Sequence, residues 1–66
     1  MAVKTKIRDI RKEKKMSQIE LAEAVGCRRE TIGNLESGRY NPSVQLAHDI
    51  AIVLGTTIDE LFVFED

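Results

Sequence analysis

Apolar residues recur along this 66-residue chain at spacings of three and four, in short runs that end at glycine or proline. That pattern predicts five amphipathic helices. The first is expected from about Lys4 to Lys14, with Val3, Ile7 and Ile10 as its buried stripe. Ser17 followed by Glu20 is a capping box, in which the hydroxyl accepts the Glu20 amide and the carboxylate reaches back to the Ser17 amide. Met16 and Leu21 flank this cap as a hydrophobic staple. Leu21, Ala22 and Val25 then share the inner face of a second helix, which Gly26 ends. A third run turns Ile32 and Leu35 inward and stops at Gly38, and Pro42 bars helix in the loop beyond. Ser43 caps a fourth helix, Val44 to Leu54, with Ala47, Ile50, Ala51 and Leu54 facing the core and Gly55 as its stop. Thr57 with Glu60 is a second capping box, opening a last short helix that reaches about Phe62. The tail, Phe62-Val63-Phe64-Glu65-Asp66, is apolar and β-prone.

Sixty-six residues hold one domain, 1–66, with a modest core. A single cysteine makes no internal disulfide, and one cysteine with one histidine assembles no metal site. Both usual staples of small folds are therefore missing, and association with a second copy is the expected source of further burial. Cys27, in the turn between the second and third helices, reads as a structural thiol that plugs the core. No Ser/His/Asp or Cys/His set and no phosphate-cradling glycine loop is present, so neither an enzyme nor a cofactor is expected. No signal peptide or long apolar run appears, which points to a soluble cytoplasmic chain with no membrane partner.

Charge changes the picture through its placement. Residues 1–41 carry all ten basic residues against six acids, a net +4. Residues 42–66 carry five acids and no base, a net −5, so the overall −1 hides a basic half and an acidic half. Two helices of about eight residues joined by a glycine turn have the spacing of a DNA-binding helix-turn-helix, and they lie in the basic half. The outer face of the third helix offers Arg28, Arg29, Glu30, Thr31, Gly33 and Asn34, whose two arginines, acid and amide can read base edges in a major groove.

Three stretches, IRDIRKEKKMSQIELAEAVG, RRETIGNLESGRYNPS and LAHDIAIVLGTTIDELF, resemble the small repressors of the phage-repressor/Cro (Xre) helix-turn-helix family. They cover about residues 7 to 62 in the family's order and spacing. The resemblance implies an all-α, five-helix DNA-binding fold whose third helix enters the major groove. It also implies that Arg11 pairs with Glu36, that Gln18 clamps a phosphate, and that the loop with Arg39, Tyr40 and Asn41 meets the DNA backbone.

Within that frame Arg28, Arg29, Glu30 and Asn34 are expected to read bases, and Gln18, Thr31, Arg39, Tyr40 and Asn41 to hold phosphates. Arg29 suits the O6 and N7 of guanine, and Asn34 can pair with adenine or reach the backbone. Glu30 departs from the family's frequent glutamine; it can accept from the cytosine amine or hold Arg28 or Arg29 in place. Arg28 departs from the common serine cap and has phosphate as its other role. Ile52, Ile58, Phe62, Val63 and Phe64 are assigned to a two-fold dimer, with residues 62–66 as a tail that pairs as short strands. The partner is double-stranded DNA, and the function a transcriptional repressor on a pseudo-palindromic operator. The competing function is an antitoxin or co-regulator whose main partner is another protein.

Overall fold

The computed structural model describes residues 2–39 and 42–65, and the side chains of 4–39 and 42–62. In chain order it contains β1 (Ala2–Thr5), α1 (Ile7–Glu13), α2 (Gln18–Val25), α3 (Arg29–Glu36), α4 (Val44–Leu54), α5 (Ile58–Leu61) and β2 (Phe62–Glu65). Five helices are present as the apolar spacing predicts, but the first begins late. Residues 2–5 are a strand rather than the opening turn of a helix, so Val3 does not extend the helical stripe. The strand pairs antiparallel with β2, from Ala2 opposite Glu65 to Thr5 opposite Phe62, and the Lys6 amide continues the ladder by donating to the Leu61 carbonyl at 2.8 Å. Val3 and Thr5 are β-branched and suit a pleated surface. Their partner lies at the far end of the chain, where no local periodicity could reveal it.

Pairing β2 with β1 of its own chain also revises the reading of the tail. Phe62, expected among the exposed dimer residues, is only 5 % exposed and completes this chain's own core. The side chains of Val63 and Phe64 lie outside the described residues. Ile7, Leu21, Ile32, Leu35, Ile50 and Leu61 are fully buried, so every helix contributes a large aliphatic group to one cluster.

The helix boundaries follow from their caps. Ser17 and Glu20 form the complete box, with bonds of 3.0 and 2.9 Å, and the two bonds from Ser17 hold the Glu20 carboxyl below its ordinary pKa. Ser43 accepts from the Leu46 amide. The second box is only half made. Thr57 accepts from the Glu60 amide, but the Glu60 carboxylate takes the Thr56 hydroxyl at 2.7 Å instead of reaching back to the cap. Gly26 and Gly55 end α2 and α4 in left-handed conformation, at φ 76° and 69°.

The turn after α1 needs the same conformation and has no glycine. Lys15 takes it at φ 56°, with its amide donating to the Lys12 carbonyl and the Met16 amide to the Arg11 carbonyl. A side chain in that region is strained. Lys15→Gly is therefore expected to raise stability by roughly 0.5–1 kcal/mol, the relief of strain less the entropy glycine loses on folding. The midpoint of urea unfolding reads this directly, and a fall would show that the lysine side chain stabilises the turn.

Candidate nucleic-acid interface

The site is built on α2 and α3. Gly26 turns the chain sharply, the Cys27 amide closes the turn on the Ala22 carbonyl at 2.9 Å, and Arg28 runs extended into α3. Cys27 packs half-buried against the core, and burial pushes its thiol pKa up, so it stays protonated. Ile32 and Leu35 are fully buried, which orients the opposite side of α3 outward. Arg28, Arg29, Glu30 and Asn34 are all exposed, and Thr31 and Gly33 are half-buried. Arg39 is exposed beyond the end of α3; Tyr40 and Asn41 lie outside the described residues.

What locks α3 at its angle is a chain of side-chain bonds running from the interior to that outer face. Arg11 Nε donates to Glu36 Oε2 at 2.7 Å, Arg11 Nη2 donates to Glu36 Oε1 at 3.2 Å, and Nη1 donates to the Met16 carbonyl at 2.8 Å. The two side chains are 9 % and 6 % exposed. Gln18 Nε2 donates to Glu36 Oε1 at 3.0 Å, and Arg29 Nη1 donates to Gln18 Oε1 at 3.0 Å. Glu36 thus accepts from both α1 and α2 while belonging to α3. The buried side-chain polar atoms described all have partners.

This arrangement joins residues that the sequence kept apart. The sequence points Gln18 to a phosphate and Arg29 to a base, yet Gln18 holds the guanidinium of Arg29 in place. Glu30 does not: among the described residues it forms no ion pair with Arg28 or Arg29. No signal in the sequence marks the Gln18–Arg29 bond, because it depends on two helices meeting at a set angle. Among the described residues no cluster of three or more His, Cys, Asp or Glu side chains could hold a metal ion. No described helix is long and apolar enough to cross a membrane.

A helix-turn-helix family model matches residues 7–61. The chain is 52 % identical over 64 residues to an uncharacterised HTH-type transcriptional regulator from Archaeoglobus fulgidus, spanning 97 % of this chain and 91 % of that one. It is 36 % identical over 61 residues to the immunity repressor protein of Bacillus phage phi105, over 92 % of this chain and 42 % of the repressor. Among solved structures, one from the SinR protein/SinI protein complex superposes with a TM-score of 0.73 at 34 % identity, over 79 % of this chain and 52 % of that one.

Replacing Arg11 by alanine leaves the Glu36 carboxylate without its cation in a nearly closed site. The expected loss is about 3–5 kcal/mol, because an uncompensated buried charge remains. Equilibrium urea unfolding measures it, and an unmoved midpoint would show that the pair contributes nothing to the fold.

Proposed function

Since the chain belongs to the Xre-type helix-turn-helix family of transcriptional regulators, we propose that it is a repressor that binds a pseudo-palindromic operator as a homodimer, with α3 in the major groove. The observation that carries this reading is the split face of α3. Ile32 and Leu35 are wholly buried, while Arg28, Arg29, Glu30 and Asn34 are exposed, with Arg29 steadied by Gln18. Arg29 then presents paired donors to guanine, Asn34 reads the neighbouring adenine or meets the backbone, and Glu30 accepts from the cytosine amine. Gln18 and Thr31 sit beside one phosphate, and Arg39 with Tyr40 and Asn41 serves another. No catalysis enters this function. The resemblance to an immunity repressor supports the sign of regulation.

Two copies would set their α3 helices in successive major grooves about 34 Å apart. The dimer face proposed is the end of the molecule bearing α4, α5 and β2. Ile52 is 64 % exposed there, and with Ile58, Ala51 and Thr56 it lines a shallow, mostly apolar depression. The strand β2, which carries Val63 and Phe64, is paired along one edge only among the described residues. A foreign protein on that depression is the second reading; the SinR neighbour, solved together with SinI protein, favours it.

Selection of bound sequences from random duplex DNA tests the function. Enrichment of two half-sites one helical turn apart is expected. Absence of any salt-sensitive retention of duplex would overturn it. In the selected site, Arg29→Ala should flatten preference at one position per half-site, a loss of about 1–3 kcal/mol of discrimination. Arg39→Ala should instead weaken all sequences alike and lower the salt slope by roughly one. The reverse pattern would mean that reader and clamp are exchanged. Ile52→Glu should halve the mass in solution of the purified protein, and a dimer that persists would exclude this face.

A further inference from the structure

Beside the α3 face, the surface between α1 and the C-terminal end of α3 sinks into a groove of about 320 Å³. We propose that this groove seats a DNA backbone phosphate, held by Arg8 and Lys12 of α1. The inference rests on the DNA-binding function proposed above and adds a phosphate site on a helix outside the helix-turn-helix.

The donors in the groove decide the assignment. Arg11 is committed to Glu36 and to the Met16 carbonyl, and Gln18 bridges Glu36 and Arg29. The Ser37 hydroxyl already donates to the Asn34 carbonyl at 3.1 Å. The Glu36 carboxylate, closed in by Arg11 and Gln18, is only 6 % exposed and presents little charge to the groove. What remains on α1 is Arg8 and Lys12, both exposed, both lining the groove, and neither with its side chain in a hydrogen bond or ion pair with a described residue. They stand four residues apart on one helix face, an arrangement in which like charges repel each other. An anion between them removes that repulsion and supplies both with acceptors.

The shape of the groove indicates which anion. It is open rather than enclosed, and Gly33 of the α3 outer face and Gln18 form part of its wall, so it is continuous with the surface that would meet the duplex. A Cβ at Gly33 would meet only Gln18 Nε2, at 3.9 Å, so the wall of the groove is not crowded at that point. A sugar-phosphate backbone running past α3 can enter such a trough, and a diester oxygen suits a guanidinium beside an ammonium.

The test compares Arg8→Gln/Lys12→Gln with Lys14→Gln/Lys15→Gln in the full chain. Both pairs remove the same charge from exposed positions of the same segment, but Lys14 and Lys15 lie outside the groove, and Lys14 reaches toward Gly55 instead. Binding to one selected duplex is measured from low to high salt. The Arg8/Lys12 pair should lower the slope of log affinity against log salt by about 0.9, the value for one lost phosphate contact, with base preference unchanged. The Lys14/Lys15 pair should leave the slope within error of the original protein. Equal falls for the two pairs would show a diffuse field rather than a seat and overturn the proposal. Undiminished slope in the Arg8/Lys12 pair, with the original protein still bound, overturns the seat and leaves the DNA-binding function intact. Failure of the original protein to bind any duplex removes both.

Discussion

A buried ion pair, Arg11 with Glu36, sits where α1, α2 and α3 meet, and the orientation of the outer face depends on it. Both side chains are over nine-tenths buried, so each has given up most of its hydration. In pure stability, a pair of well-packed aliphatic groups could replace them at little loss. Aliphatic groups could not do what Glu36 does next. Its Oε1 accepts from Gln18 Nε2, and that bond decides which way the Gln18 amide points. With its nitrogen on the carboxylate, its oxygen must face Arg29; the flipped amide would set oxygen against carboxylate and NH₂ against guanidinium. The interior thus dictates where the Arg29 guanidinium stands on the outer face.

The same economy appears in the rest of the molecule. A chain of 66 residues has little apolar surface to bury, and it uses no disulfide or described metal cluster. Its two ends are instead tied together by β1 and β2, with Phe62 driven into the core beside Leu61. The charge division follows the same geometry. The basic half, residues 1–41, holds β1, α1, α2 and α3, and the acidic half holds α4, α5 and β2. A duplex meeting α2 and α3 would meet the part of the chain with the excess of opposite charge.

How far the sequence could be read depended on the range of each cause. Ser17, Gly26, Ser43 and Gly55 act on their own neighbours, and the helices they bound end where those residues require. Val3, Lys4 and Thr5 read locally as the start of a helix because the evidence for a strand lies some sixty residues away, in β2. Phe62 was misplaced for the same reason. Glu60 had the spacing of a capping box, but the Thr56 hydroxyl next to the cap offered it a nearer partner. The outer residues of α3 were legible because Ile32 and Leu35 fix the helix phase. The Gln18–Arg29 bond was not, since it arises only once Glu36 has set the Gln18 amide.

Arg11 and Glu36 act as one unit that fixes α3 against the bundle. A double-mutant cycle of Arg11→Ala and Glu36→Ala, read by equilibrium unfolding, tests it most directly. If they do, each single change destabilises strongly and the double change costs much less than their sum, a coupling of about 1.5–3 kcal/mol. Additive losses would mean that the two charges stabilise the fold independently, and that the chain from Arg11 to Arg29 positions nothing.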